Sequence, residues 1–168
     1  MLRFVPCLAL LLAACAATPA PAPLPALPNL AQQRDDVVTA GAIAAGDIEP
    51  MRAAGIRSVI DLRVDDETPA FDEREAVTSA GLEYTNVPVH GADGLTRETV
   101  AAFDAALRAS PRPVLVHCTS SNRVGAMAAL RAAWIGGAPA EEALATGRAW
   151  GLKGLEPDVR RLLETPPP

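Results

Sequence analysis

The chain has 168 residues, enough for one domain of ordinary size with a substantial hydrophobic core. Its formal net charge of -5 argues against a nucleic-acid-binding surface, because such a surface needs clustered Lys and Arg. Only 4% of the residues are aromatic, so Ala, Val and Leu must supply most of the buried area. Two of the three cysteines lie within residues 1–15, which excludes a disulfide framework as the basis of the fold.

The first residues, MLRFVPCLALLLAA (1–14), have the pattern of a signal peptide. Arg3 supplies a minimal positive segment, and the apolar run that follows is shorter than the ~20 residues needed to span a bilayer. Small residues then precede Cys15, and the stretch LAAC (12–15) resembles a bacterial lipobox, whose cysteine is lipidated and becomes the new N-terminus. We therefore predict a lipoprotein signal peptide at 1–14, with a soluble secreted protein as the alternative.

Residues 15–28 are predicted to be the lipidated Cys15 followed by a Pro/Ala-rich linker, since AATPAPAPLPALP contains five prolines. Ala16 after the lipobox cysteine resembles the outer-membrane sorting pattern of Gram-negative lipoproteins. The sequence thus predicts a protein of the bacterial cell envelope, lipid-anchored on the periplasmic face of the outer membrane, with the inner membrane left open. Removal of Cys7 and lipidation of Cys15 would leave Cys118 as the only free thiol, in an oxidising compartment.

The folded domain is predicted over residues 29–165. Short apolar and β-branched runs predict strands at 37–40 (an edge strand), 56–62, 82–89 and 114–116. Helical spacing, N-caps and terminal glycines predict helices at 47–54, 71–80, 97–109, 124–135, 139–149 and 155–163. This order indicates an α/β domain with a central, mostly parallel sheet flanked by helices, all-helical after residue 123.

The loop that joins strand 114–116 to helix 124–135 carries the chemistry. It reads His117-Cys118-Thr119-Ser120-Ser121-Asn122-Arg123. A helix N-terminus with a cradle of main-chain N–H groups stabilises a thiolate and binds a phosphate or similar oxyanion. An arginine beside such a cradle holds two oxygens of the oxyanion at once. Cys118 is therefore predicted to be a nucleophile, with Arg123 and the loop of Thr119, Ser120, Ser121 and Asn122 as the anion-binding elements.

On these residues the sequence resembles the cysteine-dependent protein tyrosine and dual-specificity phosphatases. It is especially similar to a bacterial group related to the phosphatase domain of β-lactamase-hydrolase-like proteins. The resemblance covers most of 35–160 and rests on VIDLR (59–63), YTNVPV (84–89), VLVHC (114–118) and AWGLK (149–153). It implies a compact dual-specificity-phosphatase-like domain that hydrolyses phosphomonoesters through a phospho-cysteine. It also implies a phosphorylated substrate and no metal or organic cofactor.

The resemblance assigns further roles. An Asp in a loop upstream of the nucleophile acts as general acid, and Asp93, in HGADG (90–94), occupies the matching place. His90 is the second candidate for this acid and Asp61 the third. His117, directly before the nucleophile, is implied to support the thiolate.

Two features depart from the usual family pattern. Four residues rather than five separate Cys118 from Arg123. The residue after the arginine, usually a Ser or Thr whose hydroxyl helps the thiolate leave, is Val124. The hydroxyls of Thr119, Ser120 and Ser121 are the available substitutes.

Two other functions stay open. The short loop from Cys118 to Arg123 resembles that of rhodanese-like sulfurtransferases, although the all-helical end of the chain and the acid loop argue against them. Val124 also keeps open a catalytically weak, anion-binding envelope protein.

Other residues receive structural interpretations. Arg63 is expected to form a surface salt bridge rather than a second anion contact, and Trp134 and Trp150 are expected in the core. With two His residues and no Cys pair, we expect no zinc site. The sequence leaves the oligomeric state open.

Overall fold

A computed structural model describes residues 22–67 and 71–164. The strands are β1 (Ala31–Arg34), β2 (Val37–Ala40), β3 (Ser58–Asp61), β4 (Glu83–Asn86) and β5 (Val114–His117). The helices are α1 (Ile48–Ala53), α2 (Glu73–Ser79), α3 (Arg97–Ala109), α4 (Asn122–Trp134), α5 (Ala140–Ala149) and α6 (Glu156–Glu164). From β2 to β5 strands and helices alternate, and only helices follow in the described chain, as predicted.

The sheet has the strand order β1-β2-β5-β3-β4. β5 runs parallel to both of its neighbours, so that Leu115 lies opposite Val38 on one side and Val59 on the other. β4 is parallel to β3, and only β1 is antiparallel to its neighbour. All four residues of β5 are buried, which explains its wholly apolar start. Because β5 is the central strand, its C-terminal end lies at the centre of the sheet edge.

The predicted edge position of the strand 37–40 is wrong. β1 pairs outside it, with Ala31 opposite Thr39, so β2 lies inside the sheet. All four residues of β2 are buried, as is common for an inner strand covered on both faces. The sequence of β1, Ala-Gln-Gln-Arg, has no apolar alternation, because as the true edge strand it buries little.

All ten predicted strands and helices are present, and five of them are shorter than predicted. The helix 97–109 is found as predicted, and the Thr96 side chain caps it by accepting a hydrogen bond from Thr99 N–H at 3.2 Å. Asp72 caps α2 in the same way through Glu75 N–H at 2.9 Å, so this helix starts two residues later than expected.

Side chains alternate across the sheet and build two cores. Val114, Val116 and Cys118 face α3 to α6, with Phe103 and Met127 at the centre of that layer. Leu115 faces α1 and α2 on the opposite side. The alternation also puts His117 on the α1–α2 side, so the imidazole and the thiol project from opposite faces.

Close packing of α4 on α5 depends on two glycines. A Cβ on Gly125 would lie 2.0 Å from Leu152 N, and a Cβ on Gly147 would lie 2.9 Å from Gly125 O. Only glycine permits these approaches. They hold the segment after α5 against the start of α4, where the anion loop ends.

The predicted signal peptide and Cys15 lie outside the described residues, as does the first half of the linker. At the end of the linker, Leu27 is buried and Gly41 N–H donates to Pro28 O at 2.6 Å. Packing therefore begins shortly before the predicted start at residue 29. In the part of the chain that the structure describes, no helix is both long and apolar enough to cross a membrane.

Candidate active site

The C-terminal end of β5 places Cys118 in the interior, where it is fully buried. Ser121 adopts a left-handed backbone conformation with φ 65° and starts α4 at Asn122, two residues before the predicted start. Arg123 therefore lies in the first helical turn rather than before it. β5 ends at His117 and α4 begins at Asn122, so the loop between them consists of Cys118 and residues 119–121. The connection from strand to helix is therefore tight.

Loop side chains bind the surrounding scaffold. Ser121 Oγ donates to Trp150 O at 3.1 Å, and Asn122 Oδ1 accepts from Lys153 N–H at 2.7 Å and Leu155 N–H at 3.3 Å. By contrast, no main-chain N–H of residues 119–123 donates a hydrogen bond to another described residue. These N–H groups at the start of α4 form a cradle that can bind an oxyanion.

The segment AWGLK (149–153) supports this cradle from outside. Gly151 has φ 102°, and a Cβ on it would lie 2.7 Å from Ser121 Cβ and Oγ. The segment therefore packs directly on the loop, because the main chain at Gly151 lies against Ser121 with no side chain between them.

Arg123 is held by several scaffold acceptors. Its Nη1 donates to Val89 O at 3.0 Å and to Leu62 O at 3.4 Å. Nη1 also lies 2.6 Å from Glu67 Oε1, while Nη2 bonds Glu67 Oε2 and, at 3.0 Å, Thr119 Oγ1. With only 10% of its side chain exposed, Arg123 is a largely buried cation that Glu67 pairs in bidentate fashion.

Glu67 is a site residue that the sequence analysis missed. The hydrogen bond from Arg123 lowers the pKa of Glu67 to about 2 against the opposing effect of burial, with smaller contributions from the Thr119 hydroxyl and Val64 N–H. In turn, Glu67 raises the pKa of Arg123 above its already high value, and Cys118 adds to this. The run Asp65-Asp66-Glu67 looks like an exposed acidic turn, and nothing in it indicates a partner in the loop.

Asp93 and His90 lie in the loop that follows Val89, whose carbonyl binds Arg123. Both residues are exposed, and no hydrogen bond or ion pair joins either side chain to Cys118 or Arg123 in the described chain. The turn is tight, since Gly94 N–H donates to His90 O at 3.1 Å. The structure thus brings the loop to the arginine, and the choice of general acid stays a prediction.

Behind the loop, on the other face of the sheet, His117 lies in a buried ionic network. His117 Nε2 is 2.8 Å from Glu73 Oε1 and 3.6 Å from Asp61 Oδ1. Tyr84 OH donates to Asp61 Oδ2 at 3.0 Å, and burial raises the pKa of Tyr84. The network places Asp61, the third candidate acid, among structural contacts.

The interpretation of Arg63 as a surface salt bridge is wrong. Its side chain is 4% exposed; Nε lies 3.0 Å from Asp61 Oδ1, and Nη2 bonds Glu73 Oε2. Burial of this guanidinium is possible because two buried carboxylates compensate its charge.

One group of residues has the composition of a metal site. The potential ligand atoms of Asp61, Glu73 and His117 lie within 4.8 Å of one another. Arg63 already binds both carboxylates and supplies the positive charge that a metal ion would bring.

Trp134 and Trp150 are partly buried and pack against the core, and Arg97 stacks over the Trp134 ring at 4.6 Å.

Comparison with known families now identifies the domain. Residues 29–135 match the family model described as "Beta-lactamase hydrolase-like protein, phosphatase-like domain". The chain belongs to this family. A beta-lactamase hydrolase-like protein of Xylella fastidiosa (strain Temecula1) is 38% identical over 102 residues. That match covers 58% of this chain and 23% of the relative, so the chain corresponds to less than a quarter of that protein.

Solved structures give the same answer for the fold. A DUF442 protein of Shewanella putrefaciens is 30% identical with a TM-score of 0.65, covering 82% of this chain and 90% of that one. P. aeruginosa TpbA, solved in complex with pTyr, is 20% identical with a TM-score of 0.58, covering 81% and 83%. The predicted relation to the phosphatase domain of β-lactamase-hydrolase-like proteins and the predicted α/β fold are confirmed, and TpbA shares this fold. This family favours a phosphatase over a sulfurtransferase.

Proposed function

We propose that the protein is a cysteine-dependent phosphatase that hydrolyses phosphomonoesters through a phospho-cysteine intermediate. The observation that carries the proposal is the cradle of main-chain N–H groups at residues 119–123, which donate to no other residue that the structure describes and lie between the buried Cys118 and the guanidinium of Arg123. The cradle and the guanidinium together supply donors for the three non-bridging oxygens of a phosphoryl group.

In the first step, the Cys118 thiolate attacks phosphorus and an S–P bond forms. The P–O bond to the leaving group breaks, and its electron pair goes to the leaving oxygen, which takes a proton from the carboxyl group of Asp93. Asp93 is exposed in a Gly-flanked turn next to Val89, where it can approach a bound substrate.

In the second step, water attacks phosphorus and gives its proton to the Asp93 carboxylate. The S–P bond breaks, its electron pair returns to Cys118, and inorganic phosphate leaves. Three hydroxyls are candidates to assist this step. Of these, Thr119 donates to Glu67 at 2.6 Å and Ser121 donates to Trp150 O at 3.1 Å. Ser120 is exposed, and its hydroxyl forms no hydrogen bond with another residue of the described chain. We expect release of the thiolate to be the slower step.

The substrate we propose is a phosphoprotein or a small phosphate ester. Aryl phosphates are the first choice for testing, since one fold neighbour was solved with pTyr. The test is an activity panel of phosphomonoesters and of thiosulfate with cyanide, on the purified protein and on Cys118→Ser and Asp93→Asn.

We expect Cys118→Ser to abolish phosphatase activity and Asp93→Asn to reduce it for substrates with poor leaving groups, by about 10²–10⁴-fold. Phosphatase activity that survives Cys118→Ser contradicts the proposal. Thiosulfate sulfurtransferase activity without phosphatase activity supports the rhodanese-like alternative. Phosphate binding without either activity supports an anion-binding protein.

We also propose that the mature protein is held on the bacterial envelope by lipid on Cys15. The support is the apolar run that ends in Leu12-Ala13-Ala14-Cys15, and the proline-rich segment after it, which would hold the domain away from the membrane. Labelled palmitate should enter the wild type but not Cys15→Ser. An unlabelled wild-type protein would rule out the anchor.

A further inference from the structure

A small cleft of about 80 Å³ lies near the start of β2 and β5. Its charged lining consists of four arginines: Arg34, Arg108, Arg112 and Arg131. We propose that this arginine cleft is a second anion-binding site, which holds a phosphate or carboxylate group away from Cys118. The inference goes beyond the proposed function and does not depend on it, because none of the four arginines contacts the anion loop.

The arginine cleft is separate from the cradle of main-chain N–H groups at 119–123. Val37, which lines the cleft, lies opposite Val114 at the beginning of β5, whereas Cys118 follows the other end of that strand. Arg131 comes eight positions after Arg123 on α4, which corresponds to about 12 Å along the helix axis. The two arginines therefore lie near opposite ends of this helix.

One donor of the cleft is buried without an acceptor. Arg112 Nη2 donates to Leu107 O at 2.5 Å, but Nη1 is buried and forms no hydrogen bond with any described residue. Asp36 Oδ2 lies 3.8 Å from this Nη1 and already accepts from Arg34 Nη2 at 3.4 Å. A buried donor without an acceptor is unfavourable, and a bound oxyanion would supply the acceptor.

Arg108 and Arg131 offer further donors. Both approach the carboxylate of Asp104 through Nε, since Arg131 Nε donates to Oδ1 at 2.7 Å and Arg108 Nε lies 2.9 Å from Oδ2. The Nη atoms of these two arginines form no hydrogen bond within the described part of the chain. A guanidinium can bind more than one acceptor, so these Nη atoms are available to a second anion.

Positive charge exceeds negative charge in the cleft. Two carboxylates, Asp36 and Asp104, pair with the four guanidinium groups. The excess of two positive charges occurs in a chain whose formal net charge is -5, so it is a local property of this cleft. An anion between the arginines would reduce the repulsion among them.

The remaining lining is apolar and consists of Val37, Leu107 and Trp150. Apolar walls exclude water and strengthen an ionic contact beside them. A ligand in the cleft would lie beside the side chain of Trp150, which makes this tryptophan a reporter of binding. The same residue also contacts the anion loop, because its carbonyl accepts from Ser121 Oγ at 3.1 Å.

A purely structural role of the arginines is the competing explanation. Arg108 and Arg131 lie in the last turns of α3 and α4, where a cation interacts favourably with the helix dipole. In that case the cleft binds no anion. If the cleft is a site, neutralising Asp104 should strengthen anion binding, because its carboxylate competes with the ligand for the same two guanidinium groups.

The experiment titrates the isotope-labelled protein with inorganic phosphate and, separately, with acetate, at an ionic strength held constant with sodium chloride. Heteronuclear NMR spectra follow the indole N–H of Trp150 as the reporter of the cleft and the main-chain N–H groups of 119–123 as the reporter of the cradle. The indole N–H of Trp134, which lies under Arg97, is the internal control.

The variants are Arg112→Gln, Arg131→Gln and Asp104→Asn, each checked by circular dichroism. Arg52→Gln is the matched control, since it also removes an arginine charge from an ion pair, but on the exposed surface of α1.

We expect the Trp150 signal to shift along a saturation curve of its own while the Trp134 signal stays in place. Arg112→Gln and Arg131→Gln should weaken binding at the cleft by about 10–100-fold, as expected for the loss of a charged hydrogen bond, and leave the cradle curve unchanged. Asp104→Asn should tighten binding, and Arg52→Gln should match the wild type. The ion that saturates the cleft at lower concentration, phosphate or acetate, identifies the class of its ligand.

A Trp150 signal that moves with neither ion overturns the proposal. A Trp150 curve that coincides with the cradle curve and persists in Arg112→Gln and Arg131→Gln also overturns it, because the shift then comes from the anion loop. Should these two variants not fold, Arg108→Gln gives the answer, since that side chain is 66% exposed. Unchanged affinity of the cleft in Arg108→Gln then rejects the proposal.

Binding to the cleft is measured without turnover. If the wild type hydrolyses no ester, the proposed function fails, while the titration of Trp150 still decides whether the arginine cleft binds an anion.

Discussion

Ser121 and Trp150 are joined by a hydrogen bond of 3.1 Å, from the Ser121 hydroxyl to the Trp150 carbonyl. This bond ties the anion loop to the segment that follows α5, which otherwise has no part in the chemistry. Together with the bonds of Asn122 to Lys153 N–H and Leu155 N–H, it fixes the loop from its outer side. The shape of the cradle therefore depends on residues about thirty positions further along the chain.

Gly151→Ala should test this dependence. The substitution adds a Cβ that would lie 2.7 Å from Ser121 Oγ, at a φ of 102° that disfavours side chains. The backbone strain costs roughly 1–2 kcal/mol and the overlap about 1–3 kcal/mol more. We expect a lower melting temperature and weaker phosphate binding.

Gly137→Ala is the matched control for that prediction. Gly137 also has a positive φ, 72°, but nothing lies within 4 Å of a Cβ placed on it. It should lose stability through backbone strain alone and keep the phosphate affinity of the wild type. Equal phosphate affinity in the two variants would show that the segment after α5 does not shape the cradle.

Val124→Thr should accelerate the second chemical step. Val124 is fully buried directly after Arg123, at the position where the resembled phosphatases carry a Ser or Thr whose hydroxyl helps the thiolate leave. We expect a higher steady-state kcat and less accumulated phospho-cysteine, measured by rapid acid quench and mass spectrometry. Burial of the hydroxyl should cost about 1–3 kcal/mol of folding stability.

Val100→Thr provides the control for this gain. Val100 is a buried valine of α3 with 1% exposure, so its substitution carries a similar stability cost without adding a hydroxyl to the site. Faster turnover in both variants would point to loosening of the fold. If phospho-cysteine accumulates equally in Val124→Thr and the wild type, thiolate release is not slow.

Local sequence patterns predict those elements of the fold that depend on residues close together in the sequence. The cap at Thr96 and the apolar spacing after it fix α3, and the short apolar strand before Cys118 fixes the position of the loop. By contrast, Glu67 reaches Arg123 across 56 positions, and no local pattern records that contact. Proximity in the fold, rather than residue type, makes Glu67 part of the site.

The wrong prediction for Arg63 and the absence of a predicted strand at β1 have the same cause, since both depend on contacts with another element of the fold. Arginines are usually exposed, which predicts Arg63 at the surface, but its partner Glu73 comes from another element and allows burial. The strand β1 was missed because its polar sequence depends on pairing with β2. The role of Asp93 depends on the position of a bound substrate and not on its neighbours in the sequence.

Arg63→Met should destabilise the fold strongly. It removes the cation that compensates two buried carboxylates, Asp61 and Glu73, and breaking a buried pair in this way costs about 3–5 kcal/mol. Urea unfolding at neutral pH measures the change. Arg52→Met, which breaks the exposed pair with Glu49, should change little. Similar stability in the two variants would mean that Arg63 does not compensate the charges of Asp61 and Glu73.

The stability contribution of Glu67 should disappear in acid. Its folded-state pKa of about 2 lies below the ordinary value of 4.5, so the ionised form is favoured by folding. The contribution is therefore complete above pH 4.5 and is lost as the pH falls toward 2, since the unfolded chain then binds the proton first.

Wild type and Glu67→Gln should differ in unfolding free energy at pH 6, and the difference should shrink steadily below pH 4.5. The comparison is made at constant ionic strength, because Glu67 is partly exposed and salt screens its pair with Arg123. A difference that stays constant from pH 6 to pH 3 would show that the carboxylate is not held ionised by Arg123.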